Sequence, residues 1–509
     1  MDYKKLYKLW CELNNLSIKQ HQVDGFDWVI KREIEDSYGY PGGFLCDEMG
    51  LGKTILMIAT MMLHPNASNQ TTLIVVPKCL LKQWKDQIKR FTPLTDKHIL
   101  IFHGTTRNFT IKKVKSYKVI ITTYGMIQHR KTQQRLLWNL NYDRIIFDES
   151  HHLRNYNSIY FGALKLKSSI KWMVTGTPIN NGKYDFYRQA TVQGIINILT
   201  SNVQQIKVIV EEVCLKRSKK EAGIKIPDLN EFIINVKCES EDEENLIRNI
   251  HNFMNFTHVT PENVDSIIQN ISTLYSSVLP MFMLMRQACV YPELAYCALK
   301  RKSLLLRFED KEIKKPKTHS KLSAVINQVI KNKKTRKKKL IFCMFQKEID
   351  FIKDKLSKNG FICSIINGST SKKNRKKALE AVDIDLIKKI NTRIPLPEDI
   401  CDIINSYISS DVIIAQIQTC CEGLNLQTFS EIYITTPNWN PAIEDQAIAR
   451  CHRIGQKNSV NVYRFVTVID GDGLDKPYKK RVDEDGISLD QYCVEIQKIK
   501  RAQAKELGF

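Results

Sequence analysis

Between Tyr38 and about Thr177, short apolar runs alternate with segments that have helical spacing. The clearest runs are TLIVVP (Thr72–Pro77), HILIFHG (His98–Gly104) and KVIITTY (Lys118–Tyr124). Continuous apolar runs that are separated by helices are typical of a parallel sheet covered on both faces. The pattern therefore predicts an α/β lobe in this part of the chain.

The pattern changes near residue 201. Helical periodicity dominates as far as about Lys317, and KLIFCMF (Lys339–Phe345) then begins a second strand–helix series. We therefore predict two α/β lobes that are separated by a helical region. The predicted parts are a first lobe at 1–200, a helical linker or protrusion at 201–318, a second lobe at 319–468 with a helical insertion at about 383–410, and a charged helical tail at 469–509.

A glycine-containing loop follows an early apolar run, in the string FLCDEMGLGKT that begins at Phe44. The loop carries Gly50 and Gly52, then Lys53 and Thr54, and an apolar helical run follows at once. A strand, a glycine loop and a helix in this order form a phosphate site, because the loop N–H groups and the helix N-terminus offer positive potential. In such a site Lys53 reaches the β- and γ-phosphates and Thr54 holds Mg²⁺.

An acidic pair follows a later apolar run. The string RIIFDES places Asp148 and Glu149 at the end of a predicted strand, directly before His151. One carboxylate of such a pair orients Mg²⁺ while the other activates an attacking water. Asp47 stands where the general phosphate-loop pattern begins with glycine, so an ordinary βα turn stays open as an alternative, as does a solvated acidic pair.

The 509 residues include 77 Lys and Arg against 54 Asp and Glu, which gives a formal net charge of +23. A chain this basic favours polyanionic partners, although a uniformly basic surface would give the same balance. The densest block is KNKKTRKKK (Lys331–Lys339), for which a nuclear signal, a nucleic-acid contact and a solvated loop all stay open.

Membrane and zinc-binding classes are disfavoured. No run of about 18 apolar residues occurs, so no membrane span is predicted, and we expect no signal peptide because the first residues lack an apolar core. The 14 cysteines include no C-x-x-C pair, so we expect no zinc ribbon, finger or RING domain. We interpret them as reduced thiols of an intracellular protein.

Taken in order, the motifs resemble those of the Swi/Snf-type helicase-like ATPases of superfamily two, across about residues 15–467. The matching strings are HQVDGFDWVIKRE, DEMGLGKT, IVVPKCLLKQWKDQI, IITTYGMI, FDESHHLRN, TGTPINN, MRQACVYP, THSKL, IFCMF, INGST, EGLNLQ, NWNPAIEDQAIARCHRIGQ and VYRFV. The first two look most like the subgroup of repair translocases and transcription-release factors. Compact size and heavy use of Ile, Lys and Asn also suit a large DNA virus.

The resemblance implies two tandem RecA-like lobes that use ATP and Mg²⁺. It implies nucleotide contacts from Gln22, which reads the base, and from Asp47, Glu48, Met49, Gly50, Leu51, Gly52, Lys53 and Thr54. The implied Mg²⁺ ligands are Thr54 and Asp148. The implied catalytic residues are Lys53, Asp148, Glu149, Gln446, Arg450 and Arg453. The two arginines stand three residues apart on a predicted helical segment, so they share a face.

The resemblance also implies DNA contacts from both lobes, at Lys78, His103, Thr123, Gly368, Leu424 and Asn425. Thr175 and Thr177 lie in the motif that couples hydrolysis to lobe movement in this family. The chain departs from the family at Ser150, and at Cys420–Cys421, where the family usually has two glycines. Cysteine adopts a positive φ less readily than glycine, so we expect altered coupling or DNA grip there.

The function that these features predict is an ATP-driven double-stranded DNA translocase that remodels or displaces protein–DNA or transcription complexes. Its expected partners are duplex DNA and a polymerase, chromatin or repair complex, with no membrane and no zinc. We expect it in the nucleus, or in the virion or host cytoplasm if the chain is viral. Two alternatives stay open, a strand-separating helicase and a DNA-binding scaffold whose ATPase has decayed.

Overall fold

The computed structural model describes residues 2–35, 39–65, 71–104, 106, 109–129, 136–180, 182–195, 198, 201–253, 279–301, 313–335, 337–370, 374–375, 378, 411–420, 426–469 and 487–509. It forms two compact units, which are 1–225 together with 500–509, and 226–499. The predicted insertion at 383–410 lies outside the described residues. Among the described helices, none is both long enough and apolar enough to cross a bilayer.

The first unit contains a seven-stranded sheet in which every pair of neighbouring strands is parallel. Its strands are β1 (Gly42–Leu45), β2 (Thr71–Val76), β3 (Ile99–Phe102), β4 (Val119–Thr123), β5 (Asn141–Asp148), β6 (Lys167–Val174) and β7 (Cys214–Leu215). The order across the sheet is β3-β4-β2-β5-β6-β1-β7. Because all of these strands run parallel, the loops after β1 and β2 open at the same edge of the sheet.

Two helices precede β1, and the others lie between the strands. They are α1 (Tyr3–Leu13), α2 (Gln20–Ile34), α3 (Lys53–Leu63), α4 (Leu81–Phe91), α5 (Ile111–Lys115), α6 (Tyr124–Ile127), α7 (Ser158–Leu164), α8 (Lys183–Gln193) and α9 (Val203–Val213). Single 3₁₀ turns occur at Lys78–Leu80, Leu136–Asn139 and Ser150–Leu153. Helix α4 shows why they pack, because Leu81, Trp84, Ile88 and Phe91 are buried at helical spacing while the other face is polar.

The second unit contains a six-stranded parallel sheet with the order β10-β11-β9-β12-β13-β8. Its strands are β8 (Leu229–Val236), β9 (Lys338–Cys343), β10 (Cys363–Ile366), β11 (Val412–Gln416), β12 (Phe429–Ile434) and β13 (Val460–Thr467). Its helices are α10 (Glu241–Phe253), α11 (Leu279–Val290), α12 (Pro292–Arg301), α13 (Ser320–Lys331), α14 (Gln346–Lys358), α15 (Ile417–Cys420), α16 (Pro441–Ile448) and α17 (Leu489–Glu506), the last of which extends into the residues of the first unit; Asn332–Thr335 is a 3₁₀ turn.

Each sheet has an apolar core on both faces. In β2, Leu73 and Val75 belong to one buried cluster, whereas Ile74 and Val76 belong to another. The same division occurs along β9 and β11 in the second unit. Successive side chains of a strand point to opposite faces, so a continuous apolar run is the sequence that fills both layers. The predicted α/β class with two parallel sheets is confirmed.

The unit boundaries differ from the predicted parts. Residues 201–225, which include α9 and β7, belong to the first unit, and β8 is the edge strand of the second sheet. Residues 500–509 belong to the first unit as well. Strand β7 has only two residues, and most of β8 is exposed, so neither strand contains the buried apolar run by which the sequence identifies strands.

Candidate nucleotide-binding site

The glycine loop lies between β1 and α3, as predicted. Gly50 has a φ of 96° and Gly52 has a φ of 91°, a left-handed conformation that side chains disfavour. A Cβ atom on Gly52 would stand only 2.2 Å from the side-chain nitrogen of Gln22. Gly52 directly precedes the first N–H groups of α3, which have no partner within the helix. The loop therefore presents a helix N-terminus suited to an anion.

Lys53 is the first residue of α3, and its side chain turns back onto the loop. Its ammonium donates hydrogen bonds to the carbonyl oxygens of Asp47 at 2.5 Å and Glu48 at 3.4 Å. Burial lowers the pKa of Lys53, and the nearby carboxylates of Glu149, Asp47 and Asp148 act in the opposite direction. The structure thus brings the lysine of the loop together with the acidic pair at the end of β5.

Gln22 and its neighbour on α2 contact the same loop. The amide nitrogen of Gln22 donates to the carbonyl oxygen of Leu51 at 3.0 Å, and the Nε2 atom of His21 lies 3.1 Å from that oxygen. The Tyr7 hydroxyl donates to the side-chain oxygen of Gln22 at 3.4 Å. Gln22 is therefore held at the loop, and its role as the base reader stays a prediction.

Asp148 ends β5 in a buried position, and Glu149 follows it with a φ of 54°. A left-handed non-glycine residue is strained, and such strain concentrates at functional sites. The carboxylate of Asp148 accepts hydrogen bonds from the Trp84 indole at 2.6 Å and from the Glu149 backbone N–H at 3.1 Å. Burial, followed by the charge of Glu149, raises the pKa of Asp148 to about 7.

These groups suit a divalent cation. Asp148 and Glu149 provide carboxylate oxygens, and Thr54 provides a hydroxyl. These are hard oxygen donors of the kind that Mg²⁺ prefers. Burial opposes the joint ionisation of two adjacent carboxylates, and a bound cation would favour it. The donor chemistry of the residues therefore fits the Mg²⁺ that the sequence predicts.

Two basic residues that the sequence reasoning missed complete the loop. Arg217, which follows β7, binds both carboxylate oxygens of Asp47, at 3.0 Å through Nε and 2.5 Å through Nη2. It also donates to the backbone carbonyl of His21. Lys219 forms an ion pair with Glu48 at 2.6 Å, and its backbone N–H donates to the same carboxylate at 2.8 Å. Each acid of the loop thus has a basic partner.

The signal for these residues in the sequence is weak. Arg217 and Lys219 stand in LKRSKK, a basic string that begins at Leu215, within the segment predicted as a helical linker. The pairing of β7 with β1 brings this string beside the loop, and Cys46 donates to the Leu215 carbonyl at 2.7 Å. A two-residue edge strand has no detectable period, so the sequence pattern does not show this pairing.

The two predicted coupling threonines lie beside the acidic motif. Thr175 is buried, and its hydroxyl lies 3.2 Å from Nδ1 of His151 and accepts a hydrogen bond from the Thr177 N–H at 3.1 Å. A Cβ atom on the intervening Gly176 would stand 3.5 Å from the ammonium of Lys53. The segment therefore contacts both the acidic motif and the loop, whereas its coupling role stays a prediction.

The second unit holds the three remaining catalytic candidates. Gln446 is buried on α16, and that helix ends at Ile448. Arg450 and Arg453 therefore lie in the turns that follow, which corrects the predicted helical position of both. Burial, and then the charge of the nearby Arg450, lower the pKa of Arg453. The side-chain nitrogen of Gln456 fixes these turns by donating to three backbone carbonyls, at 2.8, 3.1 and 3.2 Å.

The DNA-contact candidates of the first unit lie at the carboxyl ends of neighbouring strands. Lys78 is exposed just after β2. His103 follows β3 and Thr123 ends β4, and Nδ1 of the histidine lies 3.5 Å from the threonine hydroxyl. In a parallel sheet these ends meet at one edge, so the three residues belong to the same edge of the unit.

The candidates of the second unit are less fully described. Gly368 lies in the turn after β10, with open space around the position of a Cβ atom. Leu424 and Asn425 lie outside the described residues, as does Cys421 of the departing Cys420–Cys421 pair. The predicted effect of this pair stays a prediction.

Comparison with known proteins shows which family the chain resembles. Residues 21–191 match the SNF2-related domain. The chain is 26% identical over 484 residues to the ISWI chromatin-remodeling complex ATPase ISW2 of Saccharomyces cerevisiae. This alignment covers 88% of this chain and 39% of the yeast protein. The chain is also 26% identical over 492 residues to a probable global transactivator of Orgyia pseudotsugata multicapsid polyhedrosis virus, which covers 92% and 90%.

A third relative is the DNA repair protein RAD5B of Arabidopsis thaliana, which is 23% identical over 581 residues and covers 84% of this chain and 43% of that protein. The Sulfolobus solfataricus SWI2/SNF2 ATPase core in complex with dsDNA is 21% identical, with 96% of each chain covered and a TM-score of 0.38. The chain spans about two fifths of the length of the yeast and plant relatives. Residues 21–191 are therefore an SNF2-related domain, and over most of its length the chain is similar to Swi/Snf-type ATPases.

Proposed function

We propose that this ATPase is a translocase on double-stranded DNA that remodels or displaces protein–DNA or transcription complexes. The observation that carries the ATP-dependent part is the position of Lys53, between the loop carbonyls and the carboxylates of Asp148 and Glu149. The exposed Lys78 and the His103–Thr123 pair at one sheet edge support the DNA part, together with the net charge of +23. Chromatin-remodeling and DNA-repair relatives support a nucleoprotein target.

In this proposal the first unit holds the nucleotide. The N–H groups of Gly52 and of the start of α3 bind phosphate oxygens, and the Lys53 ammonium neutralises the terminal phosphates. Thr54 and Asp148 would hold Mg²⁺, and the bound ion would supply positive charge that offsets the charge of the phosphates. Glu149 accepts the proton of the attacking water, so that ATP and water give ADP and phosphate.

The proposed role of the second unit is to stabilise the transition state. Arg450 and Arg453 carry two permanent charges in turns that Gln456 holds in place. Positive charge at the terminal phosphate lowers the barrier only where charge develops in the transition state. Gln446, which is buried on α16, would orient the attacking water.

The DNA part is tested by measuring ATP hydrolysis without nucleic acid and then with duplex DNA, single-stranded DNA or RNA at low salt. We expect strong stimulation by duplex DNA, together with displacement of a bound protein from the duplex. Stimulation by single strands or RNA alone, with unwinding of a fork, would replace the translocase by a strand-separating helicase. Absence of hydrolysis under every condition would favour the scaffold.

The nucleotide site is tested by Lys53→Ala. We expect hydrolysis to be abolished while duplex binding is kept, because the ammonium acts on the phosphates and not on DNA. Lys89→Ala is the matched control, since this lysine lies on α4 in the same unit and pairs with Asp96 at the surface. Unchanged turnover in Lys53→Ala would refute the phosphate-loop assignment.

The arginine assignment is tested by Arg453→Ala. Loss of a transition-state charge is expected to lower turnover by about 10³-fold or more with little change in ATP binding, as for other arginine fingers. Single-turnover hydrolysis and nucleotide titration separate these two effects. A decrease of less than about tenfold would refute the role of Arg453 in the transition state.

A further inference from the structure

The first unit exposes a cluster of aromatic side chains outside the nucleotide site. Tyr156, Phe161 and Tyr184 are 57%, 48% and 56% exposed, and Leu164 on the same helix as Phe161 is 40% exposed. With Arg188 they form what we name the α7–α8 patch. Single exposed apolar residues are ordinary, but a contiguous group of large ones marks an interaction surface.

The patch is contiguous because Arg188 connects its two halves. The guanidinium carbon of Arg188 lies 4.6 Å from the ring centre of Tyr156 and 5.9 Å from that of Tyr184. The rings of Tyr156 and Phe161 lie 6.5 Å apart. Arg188 is itself held by donating to the backbone carbonyl of Arg154 at 2.6 Å. A surface that is already ordered loses little conformational entropy on binding.

The surroundings of the patch are positively charged. Within 154–167 and 183–188 the charged side chains that reach the surface are cationic, namely Arg154, Lys165, Lys167, Lys183 and Arg188. The single carboxylate in these ranges, that of Asp185, is buried and accepts a hydrogen bond from the Asn180 N–H at 2.9 Å. It also lies 4.0 Å from Nη1 of Arg188 and offsets part of that charge, so the excess positive charge comes mainly from the lysines. Charge complementarity therefore favours a negatively charged partner.

The ring geometry favours a protein over nucleic acid. Arg188 covers one face of Tyr156, Phe161 lies beside it with planes 24° apart, and Tyr160 packs against it edge-on at 89°. Stacking of a base requires an open aromatic face, and part of the Tyr156 ring is already covered by these neighbouring side chains. Ring edges around a fixed arginine instead resemble the centre of a protein interface, where Tyr and Arg are enriched.

We propose that the α7–α8 patch docks an acidic peptide segment of a partner protein. One apolar side chain of the segment packs against Tyr156 and Phe161, and its carboxylates pair with Lys165 and Lys183. The proposal is independent of the DNA substrate and of the chemistry of the nucleotide site. It gives the ATPase a recruitment surface on its first unit.

The test is selection of a random peptide library, displayed on phage, on the full chain. We expect the enriched peptides to combine Asp or Glu with an aromatic or aliphatic residue. A fluorescent copy of the best peptide is expected to bind Tyr156→Ala/Phe161→Ala at least about tenfold more weakly than the unmodified chain. Phe232→Ala is the control, because this ring is 44% exposed on β8 in the other unit.

A charge-reversed variant distinguishes loss of the binding surface from misfolding of the aromatic variant. Lys165→Glu/Lys183→Glu changes only exposed side chains, so it should retain ATP hydrolysis and lose the peptide. No enrichment, or peptides without acidic residues, would overturn the proposal. So would equal binding to the aromatic variant. If these variants instead weaken binding of a single-stranded oligonucleotide while leaving the peptide unaffected, the patch is a nucleic-acid surface.

Discussion

Asp47 occupies a position at which phosphate loops usually have glycine, and the structure explains how an acid is accommodated there. Its side chain is almost fully buried, and a negative charge so near the phosphates would repel them. Arg217 pairs with both of its oxygens and also ties the loop to the backbone of α2. We therefore infer that the arginine positions the loop, through its ion pair with Asp47 and its hydrogen bond to the His21 carbonyl.

This arrangement predicts a coupled pair of substitutions. Arg217→Ala should raise the KM for ATP by about tenfold or more while lowering kcat less, because it leaves the buried Asp47 charge unpaired. Asp47→Gly should have a smaller effect and should remove most of the penalty of Arg217→Ala in the double variant. Steady-state ATPase assays measure both constants.

Lys220→Ala is the matched control, because Lys220 is exposed and lies three residues after Arg217. This variant should leave the KM for ATP unchanged. Additive losses in the double variant would contradict the positioning role, because independent residues do not couple. A loss in kcat alone would place Arg217 in the chemical step instead.

Among the secondary-structure elements, the start of α17 depends on a buried histidine of α10. Nδ1 of His251 lies 2.7 Å from the carbonyl oxygen of Ile247, and Nε2 accepts a hydrogen bond from the Leu489 N–H at 3.0 Å. These contacts require the neutral ring, with its proton on Nδ1. Burial lowers the pKa of His251 to about 4, so protonation on Nε2 would leave the first turn of α17 without its acceptor.

A pH dependence of stability follows. The pKa of His251 rises from about 4 in the folded state to about 6.5 on unfolding, so the unfolded state binds more protons between these values. The stability contribution is fully present above about pH 6.5 and is lost as the pH falls towards about 4. From about pH 7.5 to about pH 5 the free energy of unfolding should fall by about 2 kcal/mol on this account.

The free energy of unfolding of the second unit is measured by urea titration at both pH values. The unmodified chain is compared with His251→Gln. Glutamine retains an oxygen that accepts from the Leu489 N–H but does not titrate, so the variant should lose this part of the pH dependence. An identical pH dependence in the two proteins would show that His251 does not contribute it.

The whole molecule carries a net charge of +23, and this predicts its behaviour on DNA. Contacts with phosphates release counterions, so duplex affinity should fall by about 10³-fold or more between ~50 and ~200 mM salt. Fluorescence anisotropy with a labelled duplex measures this dependence. A fall of less than about tenfold would indicate that few phosphates are contacted.

The same titration tests Lys78. Lys78→Ala should weaken binding to all sequences alike and reduce the salt slope by about one, as loss of one phosphate contact does. Lys89 is the control, because its pairing with Asp96 at 2.8 Å already neutralises it. An unchanged slope in Lys78→Ala would remove this lysine from the DNA path.

Features that depend on residues adjacent in the sequence could be predicted from the sequence. The apolar runs identified the buried strands of both sheets, because strands buried on two faces need continuous apolar residues. The glycine loop was recognisable because a left-handed backbone, as at Gly52, favours one residue type. Asp148 was placed correctly at the end of a strand because the apolar run of that strand stops directly before it.

Features that depend on distant residues emerged only when the chain was folded. Strands β7 and β8 are edge strands whose pairing is set by the neighbouring strand, so their own residues show little pattern. The arginines after α16 looked helical by spacing, yet the helix ends before them. The ion pair between Asp47 and Arg217 joins residues 170 positions apart. Such contacts are decided by how elements pack, because a charged side chain in a one-dimensional pattern looks the same whether it is paired or solvated.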